Sequence, residues 1–504
     1  MSGNLEGSFL EDIIAHIDDD TPRLVYADWL MENGHDERAE FIRVQIQRAR
    51  LPEWDPAQVA LRLREQELIE AHGKTWLAQM PKIKGVEWLG FRRGIVAEVG
   101  FSSFASLQAN LGKVRAAAPL EAVTTYWPSE GDEEKKSRKQ PLSELRELTL
   151  TGRPWDDDVP KMAEWPQLAT LHTLEVLGLA VEDLSALLAS PHLSNLRRLR
   201  LSSNGIGNAG VGILTQSPLL LSLEELDLTG AGYYESYYDD PVINAPGFEM
   251  LAQWPGLASV RKLVLTGSDP NEAGLAALLA SPHAAGLKEL VLRNARIKGA
   301  MLPALLRAHP DLRLETLDLH SSKLDLQGME MIAVAACLSE LRHLIIDRCE
   351  IKPGMFTSYV EQSKHLGALR VLNVAQNEIG PTGLTALLER APNSLHTLLV
   401  GDNDLHDRGV IALANSPATD SLLELDLNKN GIGPTGFAAL TESEHMAQLL
   451  ILRVHDNEMS ETSQKSLQDS PLGQRLKVLG LKAPRREWGY MPPYDEDEDY
   501  YEDV

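Results

Sequence analysis

The side chains with the most chemical potential in this 504-residue chain recur at a fixed offset: Arg293, His320 and Asp347 are each 27 positions apart. His343 and Asp318 lie beside that series. A histidine held by a carboxylate can move a proton, and a histidine grouped with carboxylates can hold a metal ion. No known catalytic frame surrounds them. There is no G-x-x-x-x-G-K-S/T loop, no G-x-S-x-G turn and no H-E-x-x-H helix, and Cys337 and Cys349 do not have metal-binding spacing. We therefore assign no catalytic residue, metal or cofactor, and expect the protein not to be an enzyme. Mixed polar side chains on a rigid surface are also what recognition of another protein requires.

Composition narrows the partner. Hydrophobic residues make up 43% and charged residues 24%, as in a soluble globular protein. No run of about 18 apolar residues spans a bilayer, so no membrane is expected. The first residues lack the basic and apolar regions of a secretory signal. Two cysteines cannot build a disulfide framework, which suits buried thiols in a reducing cytoplasm. A net charge of −25 repels phosphate backbones, and no local basic patch is visible along the sequence. A neutral or basic protein partner is expected, and no nucleic acid.

The offset of 27 has a structural cause. From residue 145 onward the chain repeats L-x-x-L-x-L-x-x-(N, C or another residue)-x-I/L, with first positions at Leu145, Leu174, Leu196, Leu223, Val260, Leu287, Leu314, Leu341, Leu369, Leu395, Leu422, Leu449 and Leu476. Such a near-constant period predicts a solenoid of 13 repeats. Asparagine fills the ninth position at Asn204, Asn377, Asn403, Asn430 and Asn457. Between these segments, apolar residues three and four apart, as in Gly383-Leu384-x-x-Leu387-Leu388, predict helices. Ser190-Pro191, Ser217-Pro218, Ser281-Pro282, Ser416-Pro417 and Ser470-Pro471 stop them.

This pattern resembles the leucine-rich repeat, in the long helix-containing subtype of ribonuclease inhibitor. The resemblance implies an α/β horseshoe with an all-parallel concave sheet and outer helices, and an inward ninth side chain satisfying backbone groups at the turn. Cys349, at a ninth position, is then structural. Third, fifth and seventh positions face the hollow. They supply the candidate partner-binding residues Arg293, Asp318, His320, His343, Asp347, Asn373, Asp426, Arg453 and His455. The metal or catalytic-histidine reading of His320 and Asp347 stays open beside this one.

Three segments interrupt the period. The interval from Leu223 to Val260 carries Tyr233, Tyr234, Tyr237 and Tyr238, either a secondary partner contact at one rim or packing on a neighbouring repeat. Residues 131–139 are a charge run read as a solvated loop. The last ten residues hold seven acids and no base, an acidic tail expected to be disordered.

Residues 1–80 lack the leucine period and read as four helices, the first opened by Ser8-Phe-Leu-Glu11 and the second by Thr21-Pro22 and ended by Gly34. Within them, Thr21-Pro-Arg-Leu-Val-Tyr-Ala-Asp-Trp-Leu30 and Arg38-Ala-Glu-Phe-Ile-Arg43 closely resemble the bacterial repeat-companion domain over residues 7–50. That domain stands ahead of repeat arrays and brings no activity with it. Here it is expected to cap the open end of the array. The organisation read is thus a helical module (1–80), a linking segment with a degenerate strand at Leu120–Val123 (81–141), the solenoid (142–484) and the tail (485–504). The expected function is non-enzymatic scaffolding on the concave face. The alternative is regulation of a small GTPase, because a long array with an acidic tail is similar to the Ran GTPase-activating protein; the N-terminal module is foreign to that family, and no arginine here matches its functional one.

Overall fold

A computed structural model describes residues 2–127, 145–154, 158–202, 204–230, 242–390 and 394–482. The four tyrosines, the charge run and the acidic tail fall outside them. The module comprises α1 (Ser2–Ala15), α2 (Asp20–Glu32), α3 (Asp36–Arg50) and α4 (Ala57–Leu68). Because α1 starts at Ser2, the Ser8–Glu11 box lies inside it instead of opening it. Asp19 caps α2, accepting from the Thr21 backbone N at 2.8 Å, so Pro22 falls in the first turn where its missing N–H costs nothing. Gly34, at φ +80°, takes the left-handed step past the end of α2 that a side chain would strain.

Next come β1 (Val86–Arg92) and β2 (Ile95–Phe101), an antiparallel hairpin. The all-parallel expectation is corrected here. Arg93 and Gly94 turn the chain with φ of +48° and +82°, matching the twist of a two-residue hairpin. A Cβ on Gly94 would stand 2.3 Å from the Ile42 Cα, so glycine lets α3 rest directly on the turn. From β2 onward the strands run parallel, in sequence order, to the sixteenth. They are β3 (Ala122–Tyr126), β4 (Glu147–Thr151), β5 (Thr173–Val176), β6 (Arg198–Arg200), β7 (Glu225–Asp227), β8 (Lys262–Val264) and β9 (Glu289–Val291). The series continues with β10 (Thr316–Asp318), β11 (His343–Ile345), β12 (Val371–Asn373), β13 (Thr397–Leu399), β14 (Glu424–Asp426), β15 (Ile451–Arg453) and β16 (Val478–Gly480). The degenerate strand expected near Leu120 is β3.

Pairing corrects one register. Leu148 stands opposite Leu174 and Leu174 opposite Leu199, so Leu174 is a fourth position and its repeat begins at Leu171. Side chains at positions one, four and six, such as Leu422, Leu425 and Leu427, are buried in one continuous core between sheet and outer helices. Alternation then turns positions three and five to the opposite, concave face.

After each strand the chain must bend sharply. The eighth residue is left-handed at Gly152, Gly178 and Gly267, and also at Gln376, Asp402, Lys429 and Asp456, where a side chain makes that conformation cost about 1–3 kcal/mol. The ninth asparagine holds it. Asn403, fully buried, donates from Nδ2 to the carbonyls of Val374 (2.9 Å) and Gly401 (3.1 Å), and its Oδ1 accepts from the Ile379 N at 3.2 Å. Cys349, in the same place, directs its thiol to the carbonyls of Leu319 and Asp347, both at 3.2 Å. Replacing Asn403 with alanine is expected to lower unfolding free energy by about 2 kcal/mol through orphaned carbonyls. An unchanged denaturation midpoint would contradict the ladder's role.

Candidate functional site

On the concave face the side chains spaced 27 apart meet across three strands. Arg293 Nε donates to Asp318 Oδ2 at 2.5 Å, Asp318 Oδ1 accepts from the His320 backbone N at 3.0 Å, and His320 Nδ1 lies 2.8 Å from Asp347 Oδ2. Asp318 and His320 are buried, while the Arg293 side chain keeps 35% of its surface in solvent. Burial raises the Asp318 pKa, and the nearby Arg293 only partly offsets it. Asp347 Oδ1 is buried with no donor among the described residues. His343 stands one strand away on β11, its pKa pushed down to about 4 by burial and then by Arg293, so its ring is neutral. Among the described residues no group of three or more His, Cys, Asp or Glu is gathered to hold a metal ion.

Some candidates also serve the backbone. Asn373 Oδ1 accepts from the Ala375 N (3.1 Å) and Asp426 Oδ1 from the Asn428 N (3.0 Å), repeating the Asp318–His320 bond. A short carboxylate or amide at the fifth position thus fastens the bend after its own strand. Arg453 Nη1 reaches Glu424 Oε1 at 2.7 Å, and His455 Nδ1 reaches Asp456 Oδ2 at 2.9 Å. Arg453 and His455 stand on the far strands, away from the Arg293–Asp347 network.

Two features escaped the sequence. The second position, just ahead of each strand, is basic from β4 to β13 except at Glu224 and Glu315: Arg146, His172, Arg197, Arg261, Lys288, Arg342, Arg370 and His396. Arg197 and Lys288 in this row pair with Glu224 and Glu315 beside them, and burial lowers the pKa values of His172 and His396. Much of this row is spent on structure, since Arg261 Nη1 donates to the Gly286 carbonyl (2.7 Å) and Arg342 Nη1 to the Ala368 carbonyl (3.1 Å), each closing a helical turn of the next repeat.

The second feature is the helical module, which does more than cap an end. At the first strands the fully buried Arg23 donates to the Ile17 carbonyl (2.8 Å) and to Glu121 Oε1 (2.9 Å), and Arg146 reaches Asp18 at 2.5 Å. The module then crosses the hollow. The Trp54 carbonyl lies 2.8 Å from His396 Nε2, and the Trp54 ring lies under the Arg342 guanidinium at 5.7 Å. Arg62 Nη2 reaches Glu424 Oε2 at 2.6 Å, and Val59 and Leu63 form a buried cluster with Ile451, flanked by Leu423 and Leu450. Burial works to raise the Glu424 pKa, but Arg62 and Arg453 outweigh it and hold the carboxyl below its ordinary range. Burial likewise opposes the Lys262 ammonium, which Glu289 and the module's Glu53 hold above the ordinary lysine value. No local motif announces a contact between residues 362 positions apart.

Known proteins share the repeat. A family model described as Leucine Rich repeat matches residues 192–212, 369–388, 391–414 and 421–440. Ribonuclease inhibitor from Sus scrofa is 28% identical over 361 residues, covering 66% of this chain and 76% of the relative. Ribonuclease inhibitor from Mus musculus is 30% identical over 329 residues, covering 60% and 68% respectively. Among solved structures, a chain of the Rad7–Elc1 complex in yeast is 17% identical, with a TM-score of 0.41, 70% of this chain and 80% of that chain being covered.

The buried histidines set a pH window. His343 and His365 have pKa values lowered to about 4 from 6.5, so below pH 6.5 the unfolded chain takes up protons that the folded one refuses. Their stabilising contribution is complete above pH 6.5 and is lost as pH falls to about 4. Carboxylates that titrate lower cancel when wild type is compared with a His365→Gln variant. That comparison is expected to show the wild type losing on the order of 1–3 kcal/mol more between pH 7 and 4.5. Parallel pH–stability curves would refute it.

Proposed function

Because the chain belongs to the leucine-rich-repeat proteins of the ribonuclease-inhibitor type, we propose that it is a non-enzymatic scaffold that binds a neutral or basic partner protein on its concave face. The observation that carries this reading is the Arg293–Asp318–His320–Asp347 network, two side-chain pairs joined through the His320 backbone N across three strands of a rigid sheet. Groups held in place before association pay little ordering cost when a partner arrives. Relatives named for inhibiting ribonuclease lend support to binding of a protein. Two buried free thiols suit a reducing cytoplasm, and no helix of the described residues is long and apolar enough to cross a membrane. The N-terminal helices we read as a repeat-companion domain of bacterial type. The tyrosines at 233–238 remain a proposed secondary contact.

The charges in the network stabilise the sheet as well, so reversing Asp318 would orphan Arg293 and unsettle the fold. A cleaner test adds bulk on β12. Val371→Arg combined with Ala375→Arg just past the strand, both half-buried, is expected to reduce capture of the partner from native lysate at least tenfold, roughly 1.4 kcal/mol. The melting temperature should stay within about 1 °C, since the shift per kcal/mol shrinks to roughly that size in a chain this long. Undiminished capture would remove the concave face as the binding site.

A further inference from the structure

Seated on β14 and β15, α4 lies where a partner on this face would lie, and the module's hold on the array is lopsided. At the first strands, buried Arg23 and the close fit of Ile42 on Gly94 fix it firmly. At the far strands it offers Val59 and Leu63, the Arg62 guanidinium, whose side chain is 49% exposed, and the single residue Trp54 against His396 and Arg342. Arg62 is half in solvent and buried Glu424 has a second cation in Arg453, so losing Arg62 leaves that carboxylate paired, and two apolar side chains cover little surface. The seat is complete without its occupant. Glu424 keeps Arg453 on its other oxygen, and His396 keeps Thr397 on its other nitrogen. The helix is equally provided for, because Arg64 pairs with Glu40 and Gln45 with Glu65, tying α4 to α3. Separation therefore leaves no buried charge unpaired on either side. The array can supply the movement, since each repeat touches only its neighbours and small rotations add up along the strands.

We propose that this seat is the docking site for a helix of the partner protein, and that α4 is the resident that the partner displaces. The fitting helix carries an arginine or lysine with an apolar residue three before and one after it, the pattern of Val59, Arg62 and Leu63. Glu424 receives the cation, and Ile451, Leu423 and Leu450 receive the apolar pair. The proposal rests on the concave face being the binding face, and it adds what kind of segment binds there and what must leave first.

The test is a titration that needs no partner. A fluorescent peptide of residues 52–70 is titrated, by anisotropy, into the full chain and into the full chain carrying Arg62→Glu and Leu63→Asp. Binding to the variant is expected to be at least tenfold tighter, because in the wild type the tethered helix competes from within the molecule. Adding Glu424→Gln should then abolish most of that binding. Equal affinity for the two chains overturns the proposal, since the helix would then be a fixed strut. Should the double variant fail to fold, Arg62→Ala alone is used with the same reading. If the peptide fails to exchange while the β12 variants still lose the partner, the binding face stands and displacement falls. If the peptide exchanges while the β12 variants capture fully, the binding-face reading falls instead.

Discussion

Everything in this molecule is hung on the bend that follows each strand. Backbone polar groups there are shut away from water, and several bends pass through a left-handed residue that carries a side chain. The ninth-position asparagine answers both problems, bonding carbonyls of its own and the preceding repeat with Nδ2 and donors of the preceding repeat with Oδ1, as Asn430 does toward Val400, Asn403 and Leu405. One side chain thus sets the spacing between neighbouring repeats. Repeated from Asn377 to Asn457, that spacing fixes the last part of the sheet and the direction in which its third and fifth positions point.

The same economy governs the concave face. Asp318, Asn373 and Asp426 fasten local bends while presenting polar atoms toward the hollow. Charges on adjacent strands are then paired laterally, Arg293 with Asp318, Lys262 with Glu289 and Arg200 with Glu225. A face built this way holds its shape without a ligand. It also couples recognition to stability, because no charge in the network can be reversed without stranding another.

How much was legible follows from the range of the interactions. The leucine period, the asparagine ladder and the end of α2 at Gly34 are written in neighbouring residues, and the strands lie where that pattern places them. Leu174 misled because Leu-Glu-Val-Leu-Gly-Leu satisfies the repeat in a false frame, three residues late; only pairing with Leu148 and Leu199 resolves it. Ser8 misled because a capping pattern has no meaning once the helix has already begun. The meeting of Arg293, His320 and Asp347 was readable, since a constant interval becomes adjacency in a solenoid. The crossing of the hollow by residues 53–63 was not. Arg62 and Glu424 are ordinary surface types, and nothing in either neighbourhood names the other.

The distance between Arg62 and Glu424 along the chain, 362 residues, also orders events in time. A polypeptide grows from its N-terminus, so α4 exists before the strands that seat it; at about 5–20 residues per second, the wait is roughly 20–70 s. The repeats meanwhile stack one upon the last, each needing only its predecessor. The helix finds Glu424 and Ile451 only after β14 and β15 have been synthesised and the array has curved far enough to bring them back across the hollow. Its seating therefore registers that synthesis has reached the last repeats, and a chain cut short of them would carry an α4 with nowhere to rest.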